Sequence, residues 1–241
     1  MVTVIAHRGW SGQFPENTML AFREAVNLSV FGIELDVNQT RDGQIVVIHD
    51  VDVSRTTNGR DQVNYMTLAE LQRLDAGQGE QVPTLREVLE EFAGQISIQV
   101  EIKVKGIEVQ LAAIWEEFGA RDDIYFTSFH HEFLGKLKKQ CPTVRVITLE
   151  LPVRDSSGNR EHYLLQNLIF NARKIHAAGA SLIFRYITPA IVTGFHEKQL
   201  FVQAWSVPEE TTAEEILTSG VDGFTTNWPN QFLILTKGEK G

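Results

Sequence analysis

The chain has 241 residues, 43% of them hydrophobic and 22% charged, which is typical of a globular protein with a large core and not of a disordered or low-complexity chain. Its 22 basic and 31 acidic residues give a net charge of −9, and because no basic patch interrupts this balance we expect no nucleic-acid partner. The single cysteine, Cys141, excludes an intramolecular disulfide framework and a multi-thiolate zinc site.

The start of the chain and its hydropathy bear on location. His7 and Arg8 stand where a signal peptide would need a longer apolar stretch, and no run approaches the roughly 20 apolar residues of a membrane span. We therefore expect a cytoplasmic protein with no stable membrane association.

Short β-branched apolar runs alternate with helical segments along the chain, as in a parallel sheet whose strands are connected by helices. The eight predicted strands are residues 3–7, 32–37, 96–103, 124–129, 144–150, 181–185, 201–207 and 222–226. Among the helices, Thr84 with Glu87 three residues later predicts a capping box. Eight strands in a chain of this length predict a single-domain (β/α)8 TIM barrel over residues 1–241. A doubly wound sheet is the alternative, disfavoured because no GxGxxG motif follows the first strand.

One predicted hairpin interrupts this alternation. Asp42 and Gly43, between the second strand and an apolar run that ends at His49, are typical of a two-residue turn. The added antiparallel strand would project beyond the barrel rim, and counting outward from this turn places Asp36 opposite His49. The polar segment that follows, about 51–82, is predicted to be a small, partly helical insertion over the barrel mouth.

Carboxylates recur with strand spacing in the second and third predicted strands. Glu34 and Asp36 are two residues apart, so their side chains share one face. On an exposed antiparallel strand this would be the solvated face. In an enclosed barrel, adjacent carboxylates need a proton or a cation to offset repulsion and desolvation. Glu101 adds a third carboxylate and Lys103 a positive charge for a phosphate oxygen, and three oxygen ligands suit Mg²⁺ or Ca²⁺ better than zinc or copper.

Two histidines accompany these acids. His7, followed by Arg8, ends the first strand, at the end of the barrel where enzymes of this architecture hold their catalytic groups. His49 arrives from the hairpin beside Asp36. A lone histidine in such a position is more often a structural hydrogen-bonding group, but two of them beside three acids favour acid/base catalysis. One imidazole would remove a proton while the other donates one, and the sequence does not say which does which.

A series of short motifs extends over almost the whole chain. In chain order they are Ala6-His-Arg-Gly9, Pro15-Glu-Asn-Thr18, Glu34-Leu-Asp-Val37, Thr40-Arg-Asp-Gly43, Val47-Ile-His-Asp50, Arg55-Thr-Thr57, Pro83-Thr-Leu85, Glu101-Ile-Lys103, Thr127-Ser-Phe129, Trp205-Ser-Val207 and Val221-Asp-Gly223. With these motifs in this order, the chain resembles the glycerophosphodiester phosphodiesterases, specifically the short bacterial cytosolic type.

The resemblance implies a barrel with a small insertion after the catalytic hairpin, similar to the family's cap over the site. It also implies one divalent cation, Mg²⁺ or Ca²⁺, and hydrolysis of a small-molecule glycerophosphodiester to sn-glycerol 3-phosphate and an alcohol. By position, the implied roles are acid/base catalysis for His7 and His49, metal ligation for Glu34, Asp36 and Glu101, phosphate binding for Arg8 and Lys103, and an aromatic contact at the substrate mouth for Trp205.

Two positions depart from the family pattern, and two other functions compete with this interpretation. Family members commonly have Asp where Asn227 stands and Asn where Pro208 stands, which puts the leaving-group preference in doubt and not the activity. A phospholipase C- or D-like barrel would need an apolar or basic docking surface, which the acidic balance disfavours. A catalytically idle phosphate-binding module should have lost ligands or histidines, and this chain has retained all five.

Overall fold

The structure is a computed structural model that describes residues 2–154 and 161–236. Its strands are β1 (Thr3–His7), β2 (Gly32–Gln39), β3 (Ile45–Val47), β4 (Ser97–Ile102), β5 (Ile124–Ser128), β6 (Arg145–Leu149), β7 (Val153–Arg154), β8 (Glu161–His162), β9 (Gly179–Ile183), β10 (Phe201–Trp205) and β11 (Gly223–Thr226). Its α-helices are α1 (Met19–Asn27), α2 (Leu68–Leu71), α3 (Leu85–Phe92), α4 (Glu108–Glu117), α5 (His131–Gln140), α6 (Leu165–Lys174), α7 (Pro189–His196), α8 (Ala213–Ser219) and α9 (Leu233–Thr236). None of the helices in the described ranges has both the length and the apolarity that crossing a bilayer requires.

Eight of these strands run parallel and close into a barrel. Their order around it is β1-β2-β4-β5-β6-β9-β10-β11, and β11 pairs back onto β1. An open doubly wound sheet would have two unpaired edges, so the closure confirms the predicted (β/α)8 TIM barrel. The capping box that opens α3 is also confirmed, with Thr84 accepting a hydrogen bond from the backbone N–H of Glu87.

Alternation along β4 shows how the barrel separates the hydrophobic core beneath its helices from the cavity inside its strands. Ile98 and Val100 belong to the hydrophobic core. Gln99 and Glu101, on the other face, line an interior cavity. Successive side chains of a strand point to opposite faces, so the apolar set packs under the helices while the polar set points into the barrel. This periodicity directs the carboxylates inward.

The predicted hairpin is present, but its register differs by one residue from the prediction. β3 pairs antiparallel with β2, and Val37 lies opposite Val47. Asp36 therefore lies opposite Ile48, whose backbone N–H donates to the Asp36 carbonyl at 3.0 Å. The predicted pairing of Asp36 with His49 is wrong. Because β3 ends at Val47, His49 lies beyond the regular strand.

The turn explains this shift. The backbone N–H of Thr40 donates to the carbonyl of Gln44 at 3.0 Å, which leaves a loop of three residues where two were predicted. The last of the three, Gly43, has φ +81°. A glycine in this left-handed conformation is typical of three-residue hairpin loops, and the extra residue moves the pairing by one position.

The insertion after the hairpin packs on a small hydrophobic cluster of its own. That cluster consists of Val46, Ile48, Val53, Val63, Leu71, Ala76 and Val82. Two of its members belong to the hairpin and five to the insertion. The segment 51–82 therefore covers one side of the hairpin.

Candidate active site

Strand register brings the three predicted metal ligands together at the carboxyl ends of neighbouring strands. Asp36 on β2 lies directly opposite Glu101 on β4, and Glu34 lies opposite His7 on β1. Each carboxylate offers an oxygen, and these three oxygens lie within 4.8 Å of one another. All three acids are buried, and Asp36 is 0% exposed. Residues from separate parts of the chain thus form one acidic cluster.

The electrostatics of this cluster are set by burial. Burial, followed by the charge of Asp36, raises the pKa of Glu34 to about 8 and that of Glu101 to about 7. Burial acts in the same direction on Asp36, but the positive charges of Lys103 and Arg8 outweigh it and hold the pKa of Asp36 below its ordinary value. Burial therefore makes ionisation of Glu34 and Glu101 harder, while Lys103 and Arg8 keep Asp36 ionised.

The donor set fits a hard divalent cation. Carboxylate oxygens are the ligands that Mg²⁺ and Ca²⁺ prefer, and the cluster contains three of them without sulfur or imidazole. The buried Oδ1 atom of Asp36 accepts no hydrogen bond, although it lies 3.2 Å from the Lys103 ammonium. A buried acceptor without a hydrogen bond is uncommon and marks a position for another partner.

The two predicted phosphate-binding cations lie against these acids. Lys103 Nζ is 2.7 Å from Glu101 Oε1, and Arg8 Nε is 3.0 Å from Asp36 Oδ2. Arg8 has φ +56° and Gly9 has φ +75°, so the chain turns sharply where β1 ends. Left-handed backbone is uncommon in an arginine and is found where the surrounding structure enforces it.

His7 is held by an amide, since its Nδ1 atom lies 2.7 Å from Asn227 Oδ1. The departure from the family pattern at Asn227 therefore bears on a predicted catalytic histidine and not only on the leaving group, contrary to the expectation from the sequence. An amide oxygen can only accept, so Nδ1 carries the proton and Nε2, 3.8 Å from Glu34 Oε2, is free to accept one. Burial, followed by the charge of Arg8, lowers the pKa of His7. Burial and Arg8 outweigh Asp36, Glu101 and the hydrogen bond to Asn227, which raise the pKa, so the neutral ring is favoured.

His49 is held by a carboxylate. Its Nδ1 atom lies 2.5 Å from Asp50 Oδ1, so this nitrogen donates to the carboxylate. Burial lowers the pKa of His49 and outweighs the charge of Asp36 and the hydrogen bond to Asp50, which act in the opposite direction. Behind this pair, Arg55 of the insertion contacts Asp50 and lies 2.8 Å from Glu16. The two histidines thus have different partners although their residue type is the same.

These groups surround a cavity of about 360 Å³ at the mouth of the barrel. The predicted site residues that line it are His7, Arg8, Glu34, His49, Glu101, Lys103 and Trp205. Asp36 lies buried beside them. Residues 51–82, all of which are described, contribute none of its lining, and the insertion reaches the site through Arg55, which contacts Asp50 behind His49.

Five residues without a predicted role hold the predicted ones in place. They are Glu16, Asn17, Asp50, Arg55 and Asn227. The amide of Asn17, for example, donates to Asp36 Oδ2 at 2.9 Å. The sequence signal was present for four of them, since they belong to the ordered motifs, but a motif does not show what its members contact.

Comparison with known proteins gives consistent matches. Residues 7–231 match the sequence model of the glycerophosphoryl diester phosphodiesterase family. A glycerophosphodiester phosphodiesterase from Caldanaerobacter subterraneus is 35% identical, and the match covers 97% of each chain. The crystal structure of glycerophosphodiester phosphodiesterase from Agrobacterium tumefaciens has a TM-score of 0.83 at 27% identity, covering 97% of this chain and 100% of that one. A phosphodiesterase from Oleispira antarctica, solved in complex with the product sn-glycerol-3-phosphate, has a TM-score of 0.82 at 27% identity over 95% of this chain and 94% of that one.

Proposed function

This chain belongs to the glycerophosphoryl diester phosphodiesterase family, and on that premise we propose that it hydrolyses glycerophosphodiesters to sn-glycerol 3-phosphate and an alcohol. The observation that carries the proposal is that two histidines, two cations and two acids line one cavity, with the third acid, Asp36, buried directly beside it. The Oleispira antarctica phosphodiesterase, which shares the fold, was solved with sn-glycerol 3-phosphate as its product.

Arg8 and Lys103 bind the phosphate in this proposal. Both line the cavity, and the acids beside them are buried, so their positive charges are the groups available to the non-bridging phosphate oxygens. Charges fixed in advance next to a transition state usually supply the largest part of catalysis. The guanidinium of Arg8 is also fixed by Glu16, whose Oε1 it contacts at 2.9 Å.

Glu34, Asp36 and Glu101 are the residues that would hold one divalent cation, Mg²⁺ or Ca²⁺. Such an ion, when bound, stabilises negative charge that develops on the phosphate oxygens. The carboxylates contribute by their placement, because register holds all three at the same end of β2 and β4. Lys103 and Arg8 contribute by keeping Asp36 ionised and ready to bind.

The histidines divide acid and base between them according to their partners. The free Nε2 of His7 takes the proton from the attacking oxygen, which is either water or the glycerol 2-hydroxyl. His49, whose Nδ1 donates to Asp50, supports a positive charge and donates a proton to the oxygen of the departing alcohol. A P–O bond to the attacking oxygen forms and the P–O bond to the alcohol breaks. When the glycerol hydroxyl attacks, water then opens the cyclic phosphate.

An assay on a panel of diesters tests this function. The purified protein is incubated with glycerophosphodiesters that differ in alcohol, with and without a chelator, and released glycerol 3-phosphate is coupled to its dehydrogenase. We expect release that chelation abolishes and that added Mg²⁺ or Ca²⁺ restores, which also identifies the effective ion. Failure to release product from any diester, or release unaffected by chelation, would overturn the proposal.

A further inference from the structure

The cavity has a second wall, whose residues have no role in the proposed proton transfers or in phosphate and metal binding. The catalytic groups come from the ends of β1, β2 and β4 and from the hairpin attached to β2, and these three strands are consecutive in the barrel. Other lining residues come from the ends of β5, β6, β9, β10 and β11, on the remaining arc of the barrel, and the polar side chains Ser181, Ser206, Thr225, Thr226 and Asn227 are among them. Within this arc we call one group the far wall, and its members are Phe129, Leu149, Trp205, Val207 and Glu209.

Most of the far wall is apolar and aromatic. The rings of Phe129 and Trp205 meet edge to face, with centroids 5.4 Å apart. Two strands, β6 and β9, separate β5 from β10, so this pair spans the ends of the strands between them. The indole N–H of Trp205 donates to the carbonyl of Ser181 at 3.2 Å. Its single donor is therefore occupied, and the aromatic surface is what remains for a ligand.

One acid stands beside this aromatic surface. Glu209 is exposed and lines the cavity, and among the residues that the structure describes it has no ion pair or hydrogen-bond partner. Its environment contrasts with that of the three acids on the opposite side, which are buried and paired with Lys103 or Arg8. A phosphodiester carries a negative charge, and a further carboxylate at the entrance repels it unless the alcohol brings a positive charge.

We propose that the alcohol released from the substrate carries a positive charge, as choline and ethanolamine do, and that its ammonium group binds between Trp205 and Glu209. Aromatic faces attract cations, most strongly when the cation is a quaternary ammonium that gives no hydrogen bond. A neutral polyol would instead leave the carboxylate of Glu209 facing the phosphodiester without a compensating positive charge. The proposal rests on the hydrolytic function above and names the substrate class of the same site.

The test measures kcat/KM for two diesters that differ in the charge of the alcohol, sn-glycero-3-phosphocholine and sn-glycero-3-phosphoglycerol. We expect the wild-type protein to prefer the choline diester. Glu209→Gln should lower the choline-to-glycerol ratio of kcat/KM by about threefold to tenfold, since the loss is that of one solvent-exposed charge contact in a partly enclosed site. Glu210→Gln is the matched control, because it removes the same charge from the next residue, which is exposed and does not line the cavity.

A second variant tests the aromatic side. Trp205→Leu should also lower the choline-to-glycerol ratio, and circular dichroism checks that the barrel is intact. A ratio that stays at the wild-type value in Glu209→Gln and Trp205→Leu, or that falls equally in Glu210→Gln, overturns the proposal. Those outcomes leave hydrolysis intact, so they differ from failure of the proposed function, in which neither diester releases glycerol 3-phosphate.

Discussion

At the scale of single residues, the chemistry of the site depends on what each side chain contacts. His7 and His49 are the same residue type, but one faces the oxygen of an amide and the other a carboxylate. Asn227 cannot carry a negative charge, so it fixes the ring of His7 through a hydrogen bond without adding the attraction of a charge to the protonated form. Asp50 fixes the ring of His49 in the same way and, as a carboxylate, adds that attraction. The proposed assignment of base and acid rests on these two partners.

The first prediction concerns these histidines. Replacing His7 or His49 by Ala should lower kcat by about 10²-fold to 10⁴-fold, because a positioned proton-transfer group is lost. KM should change less, since Arg8 and Lys103 remain to bind the phosphate. Steady-state kinetics with a glycerophosphodiester measure both parameters.

The control for this prediction is His196→Ala. His196 lies at the end of α7 and contacts Asp222, which precedes β11 and therefore lies at the opposite end of the barrel from the cavity. This variant should retain activity. Near-normal turnover in either of the first two variants would contradict the assigned roles.

At the scale of secondary-structure elements, turns decide where the site residues point. The connection from β1 to α1 passes through Arg8 and Gly9, both left-handed, and a Cβ atom on Gly9 would lie 2.6 Å from the carbonyl carbon of Ala21 in α1. Close approach of strand end and helix thus requires glycine at this position. The turn allows the backbone N–H of Arg8 to donate to Glu34 at 3.0 Å.

A pair of glycine substitutions, one in this turn and one in the hairpin loop, separates the left-handed backbone of Gly9 from its close approach to α1. Gly43→Ala should destabilise the protein by about 1 to 2 kcal/mol, because Gly43 is left-handed but a Cβ there meets nothing within 4 Å. Gly9→Ala should cost about 2 to 5 kcal/mol, since the same strain is joined by a clash with α1. Denaturant unfolding measures both free energies.

Activity provides a second readout for this pair. Gly9→Ala should also reduce turnover, because relief of the clash displaces Arg8 and His7. Gly43→Ala should not, because its loop lies outside the cavity. Equal losses of stability in the two variants would show that the contact with α1 is unimportant.

At the scale of the whole molecule, the barrel brings together charges that would otherwise separate. Three buried carboxylates within 4.8 Å of one another oppose folding electrostatically unless positive charge offsets them. Lys103 and Arg8 supply part of that charge. The raised pKa values of Glu34 and Glu101 show that it is incomplete. A ligand that binds this cluster only in the folded barrel must therefore stabilise the fold.

Thermal unfolding tests this link without an activity assay. The cation that supports turnover, at about 100 times its dissociation constant, should stabilise the native state by about 2.7 kcal/mol, which raises Tm by about 5 to 10 °C for a chain of this size. Glu101→Gln, which removes one donor at nearly constant size, should show a much smaller shift. A shift as large in the variant as in the wild type would mean that the cation binds elsewhere.

The amino-acid sequence by itself determined the barrel and named the residues that the structure brings together at its mouth. Alternation of apolar and polar residues is a local property, and it is enough to place eight strands and to direct Glu34, Asp36 and Glu101 to one face. The short motifs also showed which residue types stand at the strand ends. Strand ends shifted by one or two residues without affecting the architecture, because closure depends on pairing along whole strands.

Only the tertiary structure decided how these residues are partnered. His7 and Asn227 are 220 residues apart in the chain, and no local pattern relates them. The same holds for Phe129 against Trp205 and for Arg55 against Glu16. The predicted hairpin register was also wrong, because one further residue in the loop changes which residues lie opposite each other. Periodicity tells which face a side chain occupies, whereas its partner is set by the path of the chain through space.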